Sequence, residues 1–350
     1  MTTSYVITLL KFRTPVHFGA AGLGGGLEEA EMICRADTFF SALCQEAALQ
    51  GAESLDRLIT ACQSGKVRFS DLMPYCEAHN EYELYLPRPC LPPDEKTEEN
   101  QACSLTAVRQ VSGQRKKIKK RQFLRATELL ALRNGKLDTM DLPELPSFGE
   151  KTNDVHFNSR TRKPYDVGAF HFQENAGLYL VIALENEEDR NWLAPLIYFL
   201  GLSGIGGRKS SGLGHFDLID GEDPASVSGS ELEYAFSVLN EYGIYGKDDA
   251  ALYQLLNASN DHWQMTIAPV LPSKEDIPAA ADGFGQLLRR CGYAYSKGME
   301  TAIRTDSVYM MNSGSCFRQR LTGRIADVNP GNVPHPVYKY GKGLYLGVKP

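Results

Sequence analysis

The pattern that most restricts this chain runs from Gly204 to Gly214. It reads Gly204-Ile205-Gly206, then five residues, then Gly212-Leu213-Gly214. Two such triplets let the backbone take positive φ angles and approach other groups closely at both ends of a tight loop. Between them stand Arg208, Lys209, Ser210 and Ser211. Amides exposed in such a turn, with two cations and two hydroxyls beside them, suit phosphate oxygens. A nucleotide P-loop requires a lysine after its second glycine, and here Gly207 is followed by Arg208. A dinucleotide fingerprint lies between a strand and a helix. This loop instead follows a helical pattern, Glu187–Leu200, and precedes a strand pattern, His215–Ile219. Two readings remain: a polynucleotide phosphate grip, or a tight helix-to-strand connection.

The flanking patterns supply a fold class. Residues 4–12 alternate as a strand, with Tyr5, Ile7 and Leu9 on one side. A helix follows, with Asp37 or Thr38 as its predicted N-cap and Phe39, Phe40, Leu43 and Ala47 on one face. Short strands are predicted at Lys66–Ser70 and Tyr82–Leu86, a helix at Phe123–Leu132, and a strand at Gly177–Leu184. Val155–Asn158 and Ala169–Gln173 flank a polar link and read as a hairpin with a basic tip. The order strand, helix, strand, strand, helix, strand is the split βαβ of ferredoxin-like and RNA-recognition domains. Further on, helices are predicted near Leu232–Tyr242, Asp248–Leu256 and Phe284–Cys291. Strands are predicted at His262–Ile267, Ser307–Met311, Ile325–Val328 and Gly343–Val348. The expected fold is therefore α+β, with two ferredoxin-like (RRM-like) domains, a β-hairpin insertion and a glycine-rich loop. The expected boundaries are 1–220, with a basic insertion at about 87–150 and the hairpin at about 152–176, then a helical linker at 221–258, then 259–350.

Charge and cysteine usage exclude several classes. A net charge of −6 argues against a protein that coats nucleic acid without specificity. It leaves room for a local basic groove, and residues 100–127 hold eight cations and no acid. The eight cysteines include no Cys-x-x-Cys pair, so zinc-ribbon spacing is absent and free thiols are expected. No apolar run reaches the ~20 residues of a membrane span, and the first residues lack secretory-signal features. A cytoplasmic protein with no membrane association is expected.

Five segments together resemble one family. The glycine pattern after the second helix is similar to the signature of the RAMP superfamily of CRISPR-associated proteins. Pro15-Val16-His17-Phe18-Gly19, Arg35 to Leu43, Gly314-Ser315-Cys316-Phe317 and His335 to Gly341 resemble the RAMP subunits that hold the 5′ handle in type III-A (Csm) effector complexes. The resemblance implies a subunit with no active site that grips the 5′ tag of a CRISPR RNA. Its partners would be the large multidomain subunit and a neighbouring backbone RAMP subunit. It also implies a thumb-like hairpin, for which Arg160, Arg162, Lys163 and Tyr165 form the candidate tip. Cations suit phosphate, and Tyr165 suits base stacking. The candidate RNA-binding set is then Lys11, Arg13, His17, Arg160, Arg162, Lys163, Tyr165, Gly204, Gly206, Gly207, Arg208, Lys209, Ser210, Ser211 and Gly212. Lys11, Arg13 and His17 are expected on the same side as the glycine loop. No metal or nucleotide cofactor is required.

Two enzyme readings compete. His17 could act as acid or base in a metal-independent endoribonuclease that processes repeat RNA. Asp37 stands where a backbone RAMP subunit carries its cleaving aspartate, although an N-cap role explains it without chemistry.

Overall fold

The structure, a computed structural model, describes residues 3–19, 26–92, 121–137, 142–157, 162–219, 235–259, 261, 263–294, 296 and 299–349. Arg160 and residues 101–120 of the basic stretch lie outside the described residues. Along the chain come β1 (Ser4–Phe12), β2 (Phe18–Gly19), β3 (Ala30–Glu31), α1 (Ala36–Gln50), α2 (Ala52–Ser64), β4 (Val67–Phe69), β5 (Met73–Ala78), β6 (Glu81–Pro87), β7 (Phe123–Arg125) and α3 (Ala126–Arg133). A long hairpin follows, β8 (Gly149–Phe157) and β9 (Pro164–Phe172), then β10 (Ala176–Leu184), α4 (Arg190–Ser203) and β11 (Phe216–Ile219). The remainder holds β12 (Ser237–Val238), α5 (Lys247–Asn257), β13 (Trp263–Thr266), α6 (Ile277–Ala281), β14 (Leu287–Arg290), β15 (Tyr293–Ala294), β16 (Ile303–Arg304), β17 (Val308–Met311), β18 (Cys316–Phe317), β19 (Ala326–Asp327), β20 (Tyr338–Lys339) and β21 (Tyr345–Val348).

The fold is mixed α/β with antiparallel sheets. The largest has the order β11–β1–β10–β5–β6–β7, with β12 also on β1 and β4 also on β10. β10 is apolar along its whole length because it is central and covered on both faces. Alternation divides β1 and β10 between two cores. Val6 and Leu10, with Leu178, Leu180 and Ile182, face Phe39 and Phe40 of α1 and Leu193 and Ile197 of α4. Tyr5, Ile7 and Leu9, with Tyr179, Val181 and Ala183, face Leu252 of α5, Trp263 and Met265 of β13 and Leu346 and Val348 of β21. The C-terminal strands β18–β13–β21 thus close the second face of the sheet. A further tie is the Phe69 amide, which donates to Tyr340 Oη at 2.9 Å.

Several expectations change. The segment around Leu232–Tyr242 is not helical where it is described: Ser237 and Val238 form β12 and lengthen the edge of β1, with Val238 opposite Val6. Leu287–Arg290 is a strand, not a helix. Leu288 and Arg290 turn inward while Leu287 is exposed, which is period two rather than 3.6. Phe123–Arg125 pairs with β6 before α3 begins. α1 starts at Ala36 with Arg35 at the cap position, so Asp37 is not the N-cap.

Candidate nucleic-acid interface

The chain leaving β1 is held on two sides. On one side the glycine loop grips it: the Gly214 amide donates to the Pro15 carbonyl, and the Gly207 amide to the His17 carbonyl, both at 2.8 Å. On the other side the hairpin grips it: Val16 and Phe170 exchange backbone hydrogen bonds of 2.9 and 2.8 Å. His17 Nδ1 lies 2.6 Å from the Gly168 carbonyl oxygen. A carbonyl only accepts, so Nδ1 carries a proton, and in the neutral imidazole Nε2 keeps the lone pair. His17 is 7% exposed.

The glycines exist for this contact. A first side-chain carbon on Gly207 would stand 2.5 Å from His17 Cδ2. At Gly206, φ is +93° and such a carbon would meet the His17 carbonyl at 2.8 Å. The loop is therefore a tight connection as well as a candidate phosphate grip, and its amides are partly committed. Those of Gly204, Ile205, Gly207, Ser211, Gly212 and Gly214 already donate to backbone carbonyls. The amides of Gly206, Arg208, Lys209 and Ser210 make no such bond among the described residues. The expectation that the whole run of amides faces phosphate narrows to those.

Arg208 and Lys209 diverge. Arg208 adopts a left-handed conformation, φ +61°. Its guanidinium lies 5.0 Å from the centre of the Tyr165 ring. Tyr165 in turn stacks on His156 across the hairpin, with ring centres 5.9 Å apart. Lys209 points the other way, and its Nζ donates to Gln45 Oε1 of α1 at 2.8 Å. Ser210, Ser211 and Gly212 are exposed. The hairpin is anchored at its base by Phe172, stacked on Phe12 at 5.0 Å. Toward its tip Val155 and Phe157 are exposed, as are Arg162 and Lys163.

Lys11, Arg13 and His17 do not form one group. On β1, Lys11 alternates onto the face of Leu9, opposite the one where Phe12 meets Phe172 and Phe216. Arg13 pairs with Asp217 at 3.1 Å, both side chains about half exposed. Only His17 sits against the glycine loop.

Beside His17 opens a cleft of about 220 Å³, lined by Arg35, Thr38, Gln45, Gly206, Lys209 and Arg290 among others. Its guanidiniums are positioned from below. Asp71 Oδ2 accepts from Arg35 at 3.0 Å. Asp37, fully buried, accepts from Arg290 Nε at 2.9 Å and Lys339 Nζ at 3.2 Å. Burial opposes ionisation of Asp37, but Lys339 and Arg290 outweigh it and hold the carboxyl below the usual range. Arg290 also donates to Thr38 Oγ1 at 2.8 Å. Sequence reasoning missed Arg290, which lies 253 positions from Asp37 and belongs to no motif. Its one local signal is an inward cation in a strand pattern. Among the described residues no group of three His, Cys, Asp or Glu could hold a metal ion, and no helix is long and apolar enough to cross a membrane.

Comparison with known proteins adds the following. The model of the RAMP superfamily matches residues 9–217, and that of the CRISPR Csm4 C-terminal domain matches residues 259–348. The chain is 30% identical over 344 residues to the CRISPR system Cms protein Csm4 of Mycobacterium tuberculosis (strain ATCC 25618 / H37Rv), covering 95% of this chain and 94% of that protein. It is 27% identical to the protein of the same name from Streptococcus thermophilus, with 98% of each covered. Among solved structures it resembles a chain of the Csm3-Csm4 subcomplex of the type III-A CRISPR-Cas interference complex. The TM-score is 0.62 at 18% identity, over 99% of this chain and 100% of that one. A chain of a Csm1-Csm4 cassette in complex with cA4 gives 0.57 at 16% identity, over 99% and 98%. At these identities the structural likeness speaks for the fold.

Proposed function

The chain belongs to the Csm4 family of the RAMP superfamily, and from that premise we propose that it holds the 5′ tag of a CRISPR RNA in a type III-A effector without cutting it. The observation that carries this reading is the meeting of three elements at one place. The glycine loop, the exit of β1 and the hairpin are joined by the Gly207–His17–Gly168 hydrogen bonds and by Arg208 over Tyr165. Cations, free amides and an aromatic ring beside an open cleft suit a single strand, whose phosphates and base faces they complement. The hairpin acts as a thumb: its exposed Phe157 and half-buried Tyr165 offer apolar faces to bases.

The order β11–β1–β10–β5, with α1 and α4 on one face, supports a ferredoxin-like first domain. For the second, support comes from the antiparallel strands β18–β13–β21 and β14–β17. The division near residues 220 and 259 is supported by the bounds of the two family matches. Docking of the large subunit and of a backbone RAMP subunit is part of this proposal, since the similar structures are of complexes named for Csm1 and Csm3. The experiment is to purify the tagged chain from its host and sequence any bound RNA. One population sharing a short 5′ tag is expected; random fragments or no RNA would overturn the reading.

A further inference from the structure

We propose that the cleft beside His17 is a ribose-phosphate subsite that selects RNA over DNA, with His17 Nε2 accepting a hydrogen bond from one 2′-hydroxyl of the bound strand. This rests on the RNA-binding reading above and adds what the site discriminates. The argument begins with the tautomer. The Gly168 carbonyl holds a proton on Nδ1, so in the neutral ring Nε2 offers a lone pair, and among the described residues it has no partner. The imidazole is more than nine-tenths buried and lines the cleft. A phosphate oxygen brings only lone pairs and cannot satisfy it. A ligand that does must carry a donor.

The rest of the cleft specifies what accompanies that donor. Arg35, Lys209 and Arg290 supply positive charge around the cavity. Arg35 and Arg290 are fixed by the buried carboxylates of Asp71 and Asp37, so their guanidiniums need no ordering when an anion arrives. The hydroxyl of Thr38 already accepts from Arg290, and Gln45 Oε1 from Lys209. Phe18, Ile33 and Ala42 give an apolar wall that suits the carbon face of a sugar. An anion with a neighbouring hydroxyl donor against an apolar wall describes a ribose and its phosphate. The 2′-hydroxyl is the group that separates RNA from DNA. Arg290 comes from the C-terminal half, so both halves of the chain build this subsite.

The test uses the full chain and synthetic oligonucleotides copied from the 5′ end of the RNA that co-purifies with it. One series replaces each ribose in turn by its 2′-deoxy form. One position is expected to weaken binding roughly five- to tenfold, the loss of a single hydrogen bond, while the others change little. In His17→Asn the amide nitrogen can keep the bond to Gly168 while Nε2 is lost, so the penalty at that position should vanish. Lys209→Ala should weaken every oligonucleotide alike and leave the penalty intact. An excess of AMP should not displace the strand. Equal binding of all deoxy forms overturns the proposal and leaves the RNA-binding reading standing, as does a penalty unchanged in His17→Asn. Displacement by AMP at the strand's own concentration also overturns it. Failure to bind any RNA overturns both. The deoxy series on the unaltered chain decides the matter even where a variant fails to fold.

Discussion

The amide of Gly207 donates to the carbonyl of His17 at 2.8 Å, and no side chain fits between them. One contact therefore ties the loop to the exit of the first strand. Gly207→Ala should force the two apart, at a cost of about 1–3 kcal/mol, and should weaken RNA binding because His17 moves. Gly212→Ala is the control. Its φ is +87° but its surroundings are open. It should cost about 1–2 kcal/mol through backbone strain alone and leave RNA affinity nearly unchanged. Thermal melts and filter binding on both variants check this pair.

Arg208 and Lys209 flank the loop but point in different directions. Changing both to Ala should lower RNA affinity and flatten its salt dependence by up to roughly 1.4 in the slope, about 0.7 for each lost phosphate contact on a single strand. Titrations at several salt concentrations measure this. Unchanged affinity and slope would remove the loop from the binding surface.

Tyr165 carries Arg208 on one face of the hairpin. Tyr165→Ala should weaken RNA binding by about 1–3 kcal/mol if the ring also stacks on a base, and Tyr165→Phe should be nearly neutral. Equal losses in the two variants would assign the effect to the hydroxyl instead.

Asp37 is the shared carboxylate partner of two buried cations. Asp37→Asn should destabilise the chain by about 3–5 kcal/mol, because Arg290 and Lys339 lose their shared partner. The carboxyl lies below its ordinary value of about 3.9. Its contribution is then fully present above that value and is lost only as pH falls through the lowered one. Urea denaturation should show a constant gap between wild type and variant from pH 7 down to pH 5. A gap that closes within that window would contradict the pairing.

Repeat RNA incubated with the purified chain in the absence of metal should remain intact. Among the described residues that line the cleft, none is a carboxylate that could partner His17. Cutting that disappears in His17→Ala would establish the nuclease reading instead.

Much of the first half was legible because its signals are local. The alternation of β1, the unbroken apolar run of β10 and the glycine spacing each place an element within a few residues. What was not legible depends on distant partners. Whether Leu287–Arg290 becomes strand or helix is settled by its pairing with Val308–Met311. Asp37 looked like a cap because Arg290 and Lys339, far along the chain, could not be placed beside it. The partner of Arg13, Asp217 of β11, is likewise not indicated by the sequence around it. α2 escaped because Gly51 reads as a stop, yet a second helix starts directly after it.

The shared core has a consequence for synthesis. The side of β1 bearing Tyr5, Ile7 and Leu9 is sealed in part by Leu346 and Val348. At about 5–20 residues per second, the ribosome needs roughly 20 to 70 seconds between making the one and the other. Throughout that interval part of the nascent sheet's oily flank stays bare. A chain that stops before Tyr345 therefore lacks the strand that closes its own interior.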